Sequence, residues 1–226
     1  TSDYAPALFR DLGATVIDLF HDYDGVNIND GCGSTKPRVM AEKIKETGAD
    51  LGIAYDGDGD RLIMADHMGQ IVDGDMIMGF MAKYLKEKGE LAKNRLVVTV
   101  MSNLGLKLAM GDLDIELSVT SVGDKNVMTE MDQNGAVIGG EQSGHLILSR
   151  YNPTGDGILS SLMVLRIMTE TKKFLHELAS IVKPLPQILH NITVAEGASW
   201  QHNPSVVEAV RCAEAKLGAS GRILIR

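Results

Sequence analysis

Three carboxylates in five residues constrain this chain more than any other feature: Asp56-Gly57-Asp58-Gly59-Asp60, closed by Arg61. Like charges this dense repel one another unless a cation sits among them. In a flat strand, positions i and i+2 lie about 7 Å apart, whereas a small hard cation takes its oxygens at roughly 2.0–2.1 Å. The loop must therefore curl, and the intervening glycines allow it. The apolar runs 51–55 and 62–65 read as strands leading in and out. The acidic stretch then hangs at a strand end, where open α/β sheets place ligands. A calcium EF-hand loop also begins Asp-x-Asp-x-Asp, but it needs Gly at its sixth position and Glu at its twelfth. Arg61 and His67 stand there instead. Asp56, Asp58 and Asp60 are thus read as metal ligands, against the alternative of an exposed acidic turn. A metal with few protein ligands plus a phosphate is the usual magnesium arrangement. Arg61 is then a phosphate fork beside it.

Bulk properties exclude some classes. The 226 residues are 44% hydrophobic, enough core for one large domain or two smaller ones. A formal charge of −8 with no basic stripe argues against nucleic acid as a partner. No apolar run is long enough for a bilayer and no signal-peptide pattern opens the chain, so no membrane is expected. Cys32 and Cys212 are far apart and lack metal spacing; they read as free thiols in a reducing cytoplasm.

Along the chain, helices are expected at 4–12 and 37–47 and a strand at 15–19, with a Gly/Asn/Asp-rich loop over 24–37. After the acidic loop come a turn at 66–70, a short strand at 71–72 and a helix over 76–88 with Asp75 as its N-cap. From there strands (96–100, 115–119, 136–138) alternate with helices (103–110, 125–133), which predicts a mainly parallel sheet with helices on both faces. Helices follow at 158–171 and 174–182. Beyond the Lys183–Pro186 linker, a strand at 188–194, a helix at 204–217 and a strand at 222–225 are expected. Boundaries near residue 74 and after residue 184 divide the chain into 1–74, 75–184 and 185–226.

The strand ends carry the polar residues. Gly140-Glu141-Gln142-Ser143-Gly144-His145 brackets a carboxylate, an amide and a hydroxyl with glycines, a set suited to neighbouring sugar hydroxyls. A glycine hairpin with a capping Ser is the plainer alternative. Gly123-Asp124-Lys125 opens a helix, where Asp124 caps and Lys125 is solvated or supplies positive charge opposite the metal.

Together these stretches resemble the α-D-phosphohexomutases, the phosphoglucomutase and phosphomannomutase superfamily, and most of all its bacterial branch acting on glucosamine phosphates. Asp56–Arg61 resembles the family's metal loop. Asn27-Ile28-Asn29 and Gly31-Cys32-Gly33-Ser34-Thr35 are similar to its Asn-Ile-Asn and Gly-x-Gly-Ser-Thr segment near the cleft. Residues 140–145 resemble its sugar loop, with Gln142 at the variable place as in that branch. Lys125 stands where many members carry Arg. Thr154-Gly155-Asp156-Gly157 matches a family stretch read as a helix start capped by Asp156.

The resemblance implies an α/β fold of tandem mixed or parallel sheets flanked by helices, the family's second and third domains, plus a partial α+β C-terminal piece. It implies magnesium held by Asp56, Asp58 and Asp60, and a sugar held by Glu141 and Ser143 with Gln142, Gly123 and Asp124 beside it. Arg61, Lys125 and His145 then assist phosphate or proton handling. The implied reaction interconverts glucosamine 6-phosphate and glucosamine 1-phosphate through a bisphosphate, in the cytoplasm, for amino-sugar nucleotide and cell-wall precursor synthesis. A glucose- or mannose-phosphate mutase, or a metal- and sugar-phosphate-binding fragment, are the alternatives. A hexosamine phosphate is the implied partner, with room for a homodimer. The family's phosphoserine loop is missing, and Arg226 falls where its C-terminal phosphate-binding loop begins. The chain is therefore expected to lack turnover alone.

Overall fold

A computed structural model describes residues 1–22, 24–188, 190–193 and 200–225. They form two units, Thr1–Leu185 and Pro186–Arg226. In the first unit, α1 (Tyr4–Asp11) buries Ala5 and Phe9. The next helix, α2 (Arg38–Thr47), buries Met40, Ala41 and Ile44, the one-sided spacing of an amphipathic helix. It covers a three-stranded sheet in the order β1 (Leu51–Tyr55), β2 (Leu62–Asp66), β3 (Ile71–Val72). This sheet is antiparallel throughout, with Leu51 opposite Asp66 and Tyr55 opposite Leu62.

The middle strand β2 is buried at every position, because its alternating side chains meet two layers. Ala65 packs with Ala54 and the apolar face of α2. Leu62 and Met64 join the main core, which includes Ile77, Met78, Phe80 and Met81 of α3 (Gly74–Glu87). Buried at ten of its fourteen positions, α3 is the central helix of the unit. Its cap is Asp73, not Asp75 as expected. Asp73 has extended backbone and accepts from Met76 N at 3.1 Å, whereas Asp75 is already in the helix. The Asp75 carboxylate is 1% exposed and receives the backbone N–H of Asn103 at 2.6 Å.

The expected alternation then appears as β4 (Arg95–Thr99), α4 (Leu104–Asp112), β5 (Glu116–Thr120), α5 (Asp124–Asn134), β6 (Ile138–Gly140) and β7 (Leu146–Leu148). The sheet order is β5-β4-β6-β7. Strand β4 runs parallel to β5 and β6, while β7, absent from the expectation, returns antiparallel to β6. Two helices complete the unit, α6 (Gly157–Thr171) and α7 (Leu175–Ala179); the second is shorter than expected. Both pack on α3 and β2.

The second unit contains α8 (Pro204–Leu217), started by Asn203, whose Oδ1 accepts from Ser205 N and Val206 N, and by Pro204 in the first turn. Among the described residues, no strand forms at 15–19, 188–194 or 222–225. Among the described residues the C-terminal piece carries α8 and two short 3-10 turns. A strand exists only beside a neighbouring strand, and among the described residues neither sheet includes these runs. Leu189 and Val194, within the expected strand, and Arg226 lie outside the described residues. Among the described residues no helix is long and apolar enough to cross a membrane.

Candidate active site

The acidic loop is the turn that closes the β1–β2 hairpin, between the paired residues Tyr55 and Leu62. Gly59 takes φ +78°, a left-handed turn that only glycine adopts without strain, and Gly59 N donates to Asp56 O. One carboxylate oxygen each of Asp56, Asp58 and Asp60 then lies within 4.8 Å of the others. Octahedral ligands at 2.0–2.1 Å stand roughly 2.9 Å apart when adjacent and 4.1 Å when opposite, so holding a small cation closes these oxygens by up to about 2 Å. Asp60 Oδ1 is buried with no hydrogen bond among the described residues, as a ligand oxygen should be. The donor set fits a hard divalent ion.

Arg61 is folded back on this cluster. Its backbone N–H donates to Asp56 Oδ1 at 3.2 Å, and its side-chain Nε lies 3.3 Å from Asp56 Oδ2 and 3.8 Å from Asp60 Oδ1. Burial pushes the Asp60 carboxyl above the usual carboxylate range. The neighbouring His145 opposes that rise, and the charges of Asp56 and Asp58 add to it.

The loop between β6 and β7 comes up against the acidic loop. His145 and Arg61 form a β-bridge, Leu62 N donates to Gly144 O at 3.0 Å, and His145 Nδ1 lies 2.9 Å from Asp60 Oδ2. His145 is 5% exposed. Within this loop Glu141 Oε1 accepts the backbone N–H of Gly123 at 3.0 Å, and Ser143 Oγ donates to Glu141 Oε2 at 3.3 Å. The structure thus brings Glu141, Ser143 and the Gly123-Asp124-Lys125 helix start together. An open cavity of about 260 Å³ is lined by Asp124, Lys125, Thr129, Asp132, His145 and Thr154. Gln142 is turned elsewhere: its Nε2 donates to Asp73 Oδ2 at 3.1 Å, at the start of α3. Burial raises the Asp73 carboxyl, and its hydrogen bonds from Met76 and Gln142 oppose that rise.

Two supports were not read from the sequence. Tyr55, at the end of β1, shares a hydrogen bond of 2.7 Å with Ser161 Oγ, and burial holds its phenol well above the ordinary range. Ser34 N donates to Tyr55 O at 2.8 Å, which ties the Gly31–Thr35 segment to the root of the acidic loop. The composition of that segment was the available signal; its partner was not.

Comparison with known proteins agrees with this layout. The family description phosphoglucomutase/phosphomannomutase, alpha/beta/alpha domain III, matches residues 73–185. A phosphoglucosamine mutase of Bacillus cytotoxicus is 50% identical over 226 residues, which is 100% of this chain and 50% of that protein. The chain thus spans about half the length of the curated relatives it matches. Among solved structures, a phosphoglucomutase/phosphomannomutase family protein from Burkholderia thailandensis superposes with a TM-score of 0.70 at 26% identity, over 80% of this chain and 40% of that one. Aspergillus fumigatus N-acetylphosphoglucosamine mutase, solved with GlcNAc-6P and magnesium, shares the fold with a TM-score of 0.69 at 17% identity, over 85% of this chain and 50% of that one. The family match covers half of the chain, from the cap of α3 through the second sheet and the Glu141–His145 loop to the end of the first unit, and on that match the chain belongs to the phosphoglucomutase/phosphomannomutase family.

Proposed function

We propose that this chain is the metal- and sugar-binding half of a phosphoglucosamine mutase, which interconverts glucosamine 6-phosphate and glucosamine 1-phosphate through a bisphosphate. One observation carries the reading: the three clustered carboxylates of the acidic loop are bonded, through His145 and Asp60, to the loop that bears Glu141 and Ser143. Metal loop and sugar loop thereby share one wall. The similarity to proteins named phosphoglucosamine mutase supports the choice of sugar.

Phosphoryl transfer needs charge neutralisation and positioning more than covalent chemistry. Asp56, Asp58 and Asp60 would hold magnesium, which supplies positive charge beside a phosphoryl group when bound. The magnesium in the Aspergillus neighbour supports that ion. Arg61, anchored on Asp56 through Nε, keeps its terminal nitrogens for phosphate oxygens. Glu141 and Ser143 offer an acceptor and a hydroxyl to the sugar, with Gly123 bonded to Glu141 and followed by Asp124 and Lys125, which line the neighbouring cavity. The division at residues 74 and 184, the cytoplasmic setting and a role in cell-wall precursor synthesis belong to the same proposal.

Calorimetry of the 226-residue chain with magnesium and glucosamine 6-phosphate, beside a coupled mutase assay, tests it. Binding without turnover is expected. Failure to bind either ligand refutes the site, and turnover by the chain alone refutes its dependence on the other half of the longer relatives' length. The matched family also takes its name from glucose and mannose phosphate mutases. Relative rates on the three hexose phosphates, in a full-length relative carrying this segment, choose among them.

A further inference from the structure

Thr154-Gly155-Asp156-Gly157 has the composition of a helix start, and Asp156 does cap α6, accepting from Leu159 N at 2.9 Å. The two glycines do something else. A Cβ on Gly155 would lie 2.5 Å from both Cε1 and Nε2 of His145 and 2.8 Å from its Cδ2. The imidazole therefore rests against bare backbone. Two residues on, Gly157 N donates to Gly59 O at 2.9 Å, and a Cβ there would lie 2.6 Å from Arg61 O. The turn touches the acidic loop and its histidine at once.

His145 stands between the turn and the metal cluster. A carboxylate only accepts, so the 2.9 Å contact to Asp60 Oδ2 makes Nδ1 the donor, with Nε2 on the far side of the ring. That Nε2 is buried and has no hydrogen-bond partner among the described residues. Only the Nδ1 side is anchored by a bond; the rest of the ring is located by packing against Gly155. Groups that orient ligand side chains in this way set metal affinity, and losing one typically weakens binding 10–100-fold.

We propose that this turn is a positioning element of the metal site: Gly155 seats the His145 ring, whose Nδ1–H fixes Asp60, while Gly157 pins the Gly59 carbonyl and the curl of the acidic loop. The proposal rests on the metal reading of Asp56, Asp58 and Asp60. His145 is here a positioning residue; it acts on the ion through Asp60.

The test is Mn²⁺ affinity of the 226-residue chain, read by electron paramagnetic resonance, in three variants with circular dichroism as the folding control. His145→Asn places an amide N–H near the Nδ1 position, keeps the donor, and should bind within about threefold of the parent. His145→Phe fills the space without a donor and should bind about 10–100-fold more weakly. Gly155→Ala alters neither partner, displaces the ring, and should weaken binding about tenfold. If His145→Phe fails to fold, Gly155→Ala and His145→Asn decide. Parental affinity in Gly155→Ala, or equal weakening in the Asn and Phe variants, overturns the positioning role while leaving the metal site standing. A parent chain that binds no Mn²⁺ overturns the metal reading and this proposal with it.

Discussion

The Glu141 carboxylate receives the backbone N–H of Gly123 at 3.0 Å, across eighteen positions of sequence. One oxygen thereby holds the start of α5, and the other takes the Ser143 hydroxyl. A single side chain shapes the proposed sugar-binding wall. Glu141→Ala should lower stability by about 1–2 kcal/mol, since a charge-assisted hydrogen bond is lost and an N–H left open. Glu141→Gln keeps an acceptor and should lose less than half of that. Urea denaturation midpoints measure both. Glucosamine 6-phosphate binding should weaken in both variants, and a Gln variant binding it as tightly as the parent would remove Glu141 from the sugar site.

The acidic cluster makes a second expectation direct. An ion that binds the folded chain alone stabilises it by about 2.7 kcal/mol at a hundredfold excess over its dissociation constant. Magnesium should therefore raise the melting temperature, and a chelator should reverse the rise. Asp58→Asn, at the exposed member of the triad, should abolish the shift. It should also raise the metal-free melting temperature slightly, because one repelling charge is gone. A magnesium-induced shift that persists in Asp58→Asn would place the ion elsewhere.

These two loops were legible to different depths. The acidic loop could be read because everything that shapes it is local: alternating glycines, flanking apolar runs, and charges that cannot sit together unaided. The core strand and α3 were readable from the same local patterns. Strands at 15–19 and 222–225 were not, because an apolar run does not say whether a neighbour is there to pair with it. Ile17 and Leu19 stay exposed. Strand β7 is three residues long and follows the polar loop directly, too short for alternation to show. Two aspartates flanking Gly74 made the α3 cap ambiguous, and backbone conformation chose Asp73. The contact of His145 with Asp60 spans 85 positions, and nothing local announces it.

Acid stability offers a third test, away from the site. Glu170 is held by Lys88 Nζ at 2.7 Å, Arg166 Nε at 2.8 Å and the Tyr84 hydroxyl at 2.7 Å. These bonds, that from Lys88 first, lower its carboxyl to about 2. In the unfolded chain it titrates near the ordinary value of about 4.3. The ionised form therefore supports the fold: its contribution is complete above the unfolded value and is lost as pH falls through the folded one. Glu170→Gln should lower stability at neutral pH and flatten the loss between about pH 5 and 2. Urea midpoints across that range measure it. Parallel curves for parent and variant would mean that solvent screens the cluster completely.

The last expectation concerns Gln142, which stands at the variable place of the Glu141–His145 loop. Its amide is bonded to Asp73 Oδ2, and Asp73 caps α3 through Met76 N. Gly74 N, at the same helix start, donates to Gln142 O at 3.1 Å. Side chain and backbone of this residue thus both fasten the Glu141–His145 loop to the central helix. A residue so engaged can set where Glu141 and Ser143 stand without touching the sugar. Gln142→Met, which keeps the length and removes the amide, should then depress kcat/KM on glucosamine, glucose and mannose phosphates alike in a full-length relative carrying this segment. The loss should be about three- to tenfold, the worth of one neutral hydrogen bond. Asp73→Asn, which changes the other partner, should act the same way. A change in the ratio among the three sugars, rather than in all three rates, would show that the amide reads the substrate directly.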